Sequence, residues 1–109
     1  WRLSLAPSKA PGTVAHIKRV LDARHFYDWG GGLVWLAVDA PGDAGSKVIR
    51  DAMRGLGGHA TLLRAPPEVR SKVDIFEPLP PSLADLTRRI KFAFDPDRIL
   101  NFGKMYSGI

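Results

Sequence analysis

The sequence predicts an α+β domain, an antiparallel βαββαβ sheet of ferredoxin-like plan with its helices on one face, followed by a C-terminal helix and tail. Segments with strand-like apolar patterns alternate with segments whose apolar residues recur at helical spacing. Turns containing glycine or proline separate these segments. The 109 residues, 45% of them hydrophobic, are enough for a single domain with its own core.

The first half of the chain predicts a strand, a helix and a second strand. Residues 1–6 alternate between apolar and polar side chains, as a strand with one buried face does. Residues 13–21 carry apolar side chains at helical spacing, and residues 24–29 are rich in aromatic side chains, which favour strands. Residues 30–32 are all glycine, which predicts a hairpin to the next strand because glycine adopts positive φ without strain.

A third strand and a second helix follow the glycine run. Residues 33–38 are apolar at nearly every position, which predicts a central strand covered on both faces. Pro41-Gly42 predicts a turn, and Asp43 or Ser46 is expected to cap the helix after it. The inner face of that helix is predicted to comprise Ile49, Ala52, Met53 and Leu56.

A fourth strand and a proline-rich segment lead to the C-terminal helix. Gly57-Gly58 is expected to end the preceding helix, and residues 59–64 predict the strand. Residues 65–81 contain five prolines and predict a surface segment, with a short extended piece at residues 73–76.

The C-terminal helix is expected to begin at Ser82, whose hydroxyl can cap it, and to end before Pro96. One stripe of the helix is apolar and is predicted to pack as part of a core: Leu83, Leu86, Ile90, Ala93 and Phe94. Three cations lie off this stripe and are expected to face solvent: Arg88, Arg89 and Lys91.

Composition excludes several classes of function. The chain has no cysteine, which rules out disulfides, thiolate metal sites and cysteine nucleophiles within it. Its three histidines show no spaced metal-ligand pattern, and no apolar run reaches the roughly 20 residues of a membrane span. A net charge of +5 raises the expectation of an anionic partner, although the basic residues are scattered along the chain.

Three segments carry a resemblance to a known family. Residues 91–104, KFAFDPDRILNFGK, resemble the C-terminal signature of FAD-linked oxidases of the vanillyl-alcohol-oxidase/PCMH type. Residues 35–37, WLA, and 57–64, GGHATLLR, are similar to the FAD-binding subunits of bacterial glycolate oxidases within that family. Phe102 departs from the pattern, because the family usually has proline there and its fixed φ is lost.

The resemblance implies that residues 1–109 are the C-terminal cap domain of a longer flavoprotein whose N-terminal FAD domain is not in this sequence. It implies FAD as the cofactor of the full-length protein, with Asn101, Gly103 and Lys104 near it, and no tight FAD binding by this chain alone. The implied activity is that of a 2-hydroxyacid oxidase or dehydrogenase. No catalytic residue is assigned, and the chain alone is not expected to be active.

The resemblance also implies partners and a location. The partners are the FAD domain of the same chain and the other subunits of an oxidase complex, a flavin-containing catalytic subunit and an iron–sulfur subunit. The implied location is cytoplasmic, and a peripheral association with the inner face of the membrane through the complex is compatible with it.

The remaining candidate residues leave a choice open. His59 and Arg64, at the two ends of the fourth predicted strand, are candidates to face a flavin or an anionic substrate, or to serve structural roles. Some of Tyr27, Trp29 and Trp35 are predicted to contribute to an exposed aromatic sheet face. The alternative function is a basic ferredoxin-like module that binds RNA or protein without catalysis. Nucleic acid is the less favoured partner, because the aromatic strand motif typical of RNA-recognition domains is missing.

Overall fold

The computed structural model describes residues 1–39 and 42–109. The strands are β1 (Arg2–Ser4), β2 (Ala23–Asp28), β3 (Leu33–Val38) and β4 (His59–Thr61). The helices are α1 (Ala10–Lys18), α2 (Ser46–Met53), α3 (Pro67–Arg70) and α4 (Pro81–Phe94), and single 3-10 turns span Pro7–Lys9 and Trp29–Gly31. The chain divides into two compact units, Trp1–Glu77 and Pro78–Ile109.

The first unit confirms the predicted fold class. Its four strands form one sheet in the order β2-β3-β1-β4, and every neighbouring pair is antiparallel. The element order β1-α1-β2-β3-α2-β4, with the first and third strands in the centre, agrees with the ferredoxin-like plan.

Only one face of the sheet is covered by helices within this unit. The strand register places Leu3, Val34 and Ala60 side by side on that face, each fully buried. Ile17 of α1 and Ile49 of α2 are equally buried and belong to the same core cluster. The helices therefore exclude water from that face. On the opposite face Thr61 is also buried, and Arg2 and Trp35 are half-buried.

The predicted covering of β3 on both faces is wrong. Val34 and Leu36 are buried, but Leu33 and Trp35 are half-buried and Ala37 is exposed. The strand is central by position, between β2 and β1, and its second face is covered only in part.

Of the three candidates for the aromatic sheet face, Trp35 lies on it, whereas Tyr27 and Trp29 are exposed elsewhere in the first unit. Trp29 leaves β2 and enters a 3-10 turn with φ of 51°, so it does not continue the alternation of the strand. Tyr27 lies opposite Val34, which places it on the helix-covered side, where it remains 43% exposed at the edge. The aromatic pair on the face opposite the helices is Phe26 and Trp35.

Of the two residues predicted to cap α2, Asp43 does so and Ser46 does not. Ser46 is the first residue of the helix, and the Oδ2 atom of Asp43 accepts a hydrogen bond from the N–H of Lys47 at 3.1 Å. Asp43 also accepts a hydrogen bond from the N–H of Gly45 at 2.9 Å, so its carboxylate pairs with backbone N–H groups at the start of the helix that have no partner within it. The predicted Pro41-Gly42 turn includes Pro41, which lies outside the described residues.

The second unit contains α4 and the C-terminal tail. The helix begins at Pro81, one residue before the predicted start, and Ser82 makes no side-chain cap. Its apolar stripe is not buried as predicted: Leu83 is 45% exposed, Leu86 48% and Ile90 52%. The sequence pattern identified an amphipathic helix correctly but could not show what, if anything, covers it.

Candidate functional site

A row of four side chains crosses the sheet face opposite α1 and α2. Strand register places Phe26, Trp35, Arg2 and Thr61 side by side, one from each strand. The rings of Phe26 and Trp35 stack with centroids 6.0 Å apart and planes 17° from parallel. Phe26 is 60% exposed, so this aromatic pair offers a flat apolar surface to a ligand or partner.

Arg2 lies at the centre of that row. Its side chain is half-buried, and its Nε atom is buried without a hydrogen-bond partner. Among the described residues no carboxylate pairs with Arg2, so its charge is not neutralised within that part of the chain. The sequence pattern placed Arg2 only on the polar side of the first strand; its position beside Trp35 follows from pairing between distant segments.

An open groove of about 910 Å³ adjoins this row beside Trp1. Its walls come from the ends of β2 and β3 and from the segment after β4, and both Arg24 and Arg64 line it. Phe26 and Trp35 contribute its aromatic wall. The predicted site residue Arg64 thus lies in a groove that combines two cations with apolar walls, an arrangement suited to an anion that carries an apolar part.

His59 is not part of this groove. It begins β4 opposite Ser4, and its side chain is exposed. Arg64 follows the other end of the strand, so the structure does not bring these two predicted residues together. Nothing in the structure tests a role for His59 toward a flavin or substrate.

The tail forms a compact loop around the three predicted cofactor residues. Asn101 has φ of 51° and its carbonyl accepts the N–H of Lys104 at 3.1 Å. Gly103 has φ of 69°, and its N–H donates to the carbonyl of Ile109 at 2.8 Å. The Asn101 and Lys104 side chains are exposed, which leaves an amide and an ammonium group available to an external partner.

A buried carboxylate holds the chain between α4 and this loop. Asp95 follows the last residue of the helix and accepts hydrogen bonds from the N–H groups of Ile99 and Leu100, each at 2.9 Å. Lys91, one turn earlier, pairs with the same carboxylate at 2.5 Å. The hydrogen bond from Lys91 holds the pKa of Asp95 below its usual value, and the two backbone N–H groups act in the same direction.

The cations of α4 are partly neutralised by acidic neighbours. Arg88 pairs with Asp85 at 2.6 Å, and Lys91 pairs with Asp95. Arg98 lies over the ring of Phe102, 5.5 Å from its centroid. These side chains line a second groove, of about 710 Å³, within the α4 unit.

The described part of the chain shows no group of three or more metal-ligating side chains. In the same residues, no helix is both long enough and apolar enough to cross a membrane.

The fold defines a class of protein: an α+β domain of ferredoxin-like plan with aromatic and basic side chains on the sheet face opposite its helices. The chain is similar to glycolate oxidase subunit GlcE of Escherichia coli (strain K12), with 34% identity over 107 residues. The predicted resemblance to such subunits is confirmed by this similarity, which covers 98% of the chain but 26% of the relative. The chain therefore spans about a quarter of the relative's length. No protein-family model matches the chain, and no solved structure matches it.

Proposed function

We propose that this chain is the C-terminal cap domain of an FAD-binding subunit in a glycolate (2-hydroxyacid) oxidase or dehydrogenase complex. In this role it helps to complete the flavin site and to dock subunits. The observation that carries the proposal is the 34% identity to glycolate oxidase subunit GlcE, which extends over nearly the whole chain. The tail signature at residues 91–104 lies within the stretch that this similarity covers and agrees with it.

The tail suits a contact with one edge of a flavin rather than a whole FAD site. The Asn101 amide offers a donor and an acceptor, and Lys104 offers a positive charge. Gly103 has nothing within 4 Å of the position that a Cβ would occupy, so the loop can approach a ligand closely. Bound flavin would supply the oxidising chemistry, taking hydride from the carbon that bears the substrate hydroxyl. This chain's residues would position the cofactor and its charge.

The partners follow from the same proposal. An FAD domain of the same polypeptide would supply most of the cofactor site, and a flavin-containing catalytic subunit and an iron–sulfur subunit would complete the complex. The exposed Phe26 ring, stacked on Trp35 at the β2 edge of the sheet, is a suitable part of a docking surface for one of them. The proposed location is cytoplasmic, with peripheral association at the inner face of the membrane through the complex.

A chimeric subunit tests the proposal. This chain would replace the matching stretch of Escherichia coli GlcE, and the chimera would be expressed with the remaining subunits of its complex. We expect stoichiometric FAD and measurable glycolate oxidation. Asn101→Ala should weaken FAD binding by about tenfold or more or shift the flavin midpoint potential, because one or two hydrogen bonds to the cofactor are lost.

The control is Asn101→Gln, which keeps an uncharged amide that can both donate and accept a hydrogen bond. A folded chimera that binds no FAD would contradict the proposed function. A chimera that is active but whose affinity and midpoint are unchanged by Asn101→Ala would contradict the role of Asn101 alone. Misfolding is recognised by circular dichroism and by loss of subunit assembly.

A basic binding module is the second candidate, favoured by the exposed Phe26–Trp35 pair beside Arg2 and Arg24. Stacked aromatic side chains on an open sheet can hold unpaired bases, and the net charge of +5 suits a phosphate backbone. RNA binding whose affinity falls steeply with salt, together with a chimera that fails to bind FAD, would favour this candidate over the first. Binding to an acidic protein in place of RNA would make the same module a protein-interaction domain.

A further inference from the structure

Strand β2 is one edge of the sheet, and within the described part of the chain no strand pairs with its outer side. It pairs with β3 in unbroken one-to-one register, and it contains no proline. Proline, bulges and short length are features that commonly protect a sheet edge from a further strand. Because β2 has none of these features, its backbone is able to accept one.

The outward backbone groups of β2 follow from its pairing with β3. In line with that register, the N–H of Asp39 donates to the carbonyl of Asp22 at 3.1 Å. Bonded and non-bonded residue pairs alternate along an antiparallel ladder, so every second residue counted from Asp22 bonds to β3. The residues between them direct their N–H and C=O groups outward, and in the middle of the edge these are His25 and Tyr27. Their backbones make no hydrogen bond to any other segment among residues 1–39 and 42–109.

The side chains of β2 are complementary to those of a second β2 that runs antiparallel about Phe26. Such pairing sets Phe26 opposite its own counterpart, and it sets Arg24 of each copy opposite Asp28 of the other. These three side chains are exposed and share the sheet face opposite α1 and α2. The same register sets His25 opposite Tyr27, so the outward backbone groups of these two residues meet as hydrogen-bonded pairs.

The two charged residues are available for this contact. Neither Arg24 nor Asp28 belongs to an ion pair in the part of the chain that the structure describes. The Asp28 carboxylate accepts the N–H of Trp29 at 2.8 Å and lies 3.4 Å from the indole nitrogen of Trp35, and each of its oxygens can accept a further hydrogen bond. Charges at a sheet edge discourage a strand that does not match them. A second copy supplies the match, which favours it over a strand of a different protein.

We propose that the outer edge of β2 is a homodimer interface, in which two copies pair β2 with β2 antiparallel about Phe26. The two sheets become one continuous sheet. The stacked Phe26–Trp35 pairs of the two copies meet at its centre, between two Arg24–Asp28 ion pairs. The inference does not depend on the proposed function.

Exchange of the opposing charges tests the proposal, with the dimer of the 109-residue chain measured by sedimentation. Arg24→Asp and Asp28→Arg each set like charges opposite one another, so each alone should weaken the dimer by about tenfold. An equimolar mixture of the two variants should restore it, because a chain with two acids then faces a chain with two bases. Lys18→Asp is the matched control: Lys18 is exposed on α1, and its replacement changes the net charge as Arg24→Asp does but should leave the dimer intact.

Amide exchange measured by NMR shows whether the contact is at this edge. The N–H groups of His25 and Tyr27 should exchange more slowly as the concentration of the parent chain rises, whereas that of Phe26, which already bonds to β3, should not change. Exchange at His25 and Tyr27 that is independent of concentration would overturn the proposal. A mixture of the charge variants that is no more dimeric than either variant alone would overturn it as well.

A cross-linking arm guards against misfolding of Asp28→Arg, which circular dichroism would detect. The chain has no cysteine, so Phe26→Cys introduces a single thiol at the position that faces itself across the interface. Mild oxidation should link this variant into a disulfide dimer. Arg24→Cys is the matched control on the same face, since its two thiols lie far apart in this register. Linking of Arg24→Cys as readily as Phe26→Cys would contradict the proposed pairing.

Discussion

Gly58 lies where the backbone before β4 passes very close to the backbone of Ser4. A Cβ atom at this position would lie 2.2 Å from the carbonyl oxygen of Ser4, and 3.0 Å from side-chain atoms of Leu5 and Met53. Gly58 immediately precedes β4, so the absence of a side chain lets this end of β4 lie against β1. The glycine predicted as a helix terminator thus has a packing role that its sequence context did not reveal.

Gly58→Ala is therefore expected to destabilise the chain by about 1–3 kcal/mol or more, because backbone has to move to admit the methyl group. Gly12→Ala is the matched control. Gly12 lies in α1 with nothing within 4 Å of its Cβ position, and the same change there should stabilise by about 0.4–1 kcal/mol. Urea unfolding followed by circular dichroism measures both. A Gly58→Ala variant as stable as the parent would show that the strands do not meet as described.

At the scale of elements, the link between α4 and the tail depends on one carboxylate. Asp95 binds the backbone of Ile99 and Leu100 and pairs with Lys91, so it fixes the direction in which the chain leaves the helix. The sequence predicted only that the helix stops here, because proline follows. The carboxylate also determines how this link responds to pH.

The pKa of Asp95 is lowered in the folded chain, chiefly by Lys91, so its contribution to stability is complete above the usual value of 3.8. It is lost as the pH falls through the lowered pKa. We expect the amide protection factors of Ile99 and Leu100 to fall together below pH 3.8 while those of the sheet persist. Asp95→Asn should reduce both protection factors several-fold at neutral pH, because the amide offers one acceptor oxygen where the carboxylate offers two.

Asp97→Asn is the control. Asp97 is exposed, and its replacement removes the same charge from the same turn. Hydrogen exchange measured by NMR gives the protection factors for each variant. Protection that is unchanged in Asp95→Asn would show that the link is held by other contacts.

At the scale of the whole molecule, the chain combines a basic charge with large exposed apolar side chains. Trp29 is 84% exposed, Phe26 60%, and Leu86 and Ile90 about half exposed. Apolar surface of this extent commonly marks an interface. The net charge of +5 opposes contact between two copies, and added salt screens that repulsion.

We expect the chain to self-associate, with an apparent mass in sedimentation that rises with protein concentration and with salt. Leu86→Ser together with Ile90→Ser should shift the distribution toward monomer, because it removes two members of the α4 stripe. Val20→Ser is the control, since Val20 belongs to the first unit, is 62% exposed, and its replacement removes apolar area in the same way. A parent chain that stays monomeric at all concentrations would argue against an interface on these surfaces.

The sequence by itself determined the class and order of the elements, since their signals are local. Apolar spacing within a few residues predicted β3 and α2, and a contiguous tail motif carried the resemblance that the similarity to subunit GlcE confirms. Local signals also explain the errors at boundaries. The strand predicted for residues 24–29 ends at Asp28, because Trp29 adopts a positive φ.

Only the tertiary structure decided which side chains meet on the sheet. Arg2, Phe26, Trp35 and Thr61 form one row because of strand register, which is set by pairing between segments far apart in the chain. A shift of one residue in that register would move each side chain of the shifted strand to the other face, so no local pattern fixes the row. Burial is decided in the same way. The apolar stripe of α4 is typical of a core helix, yet Leu86 and Ile90 are half exposed. Periodicity shows only that a helix has an apolar side, whereas exposure depends on what packs against that side.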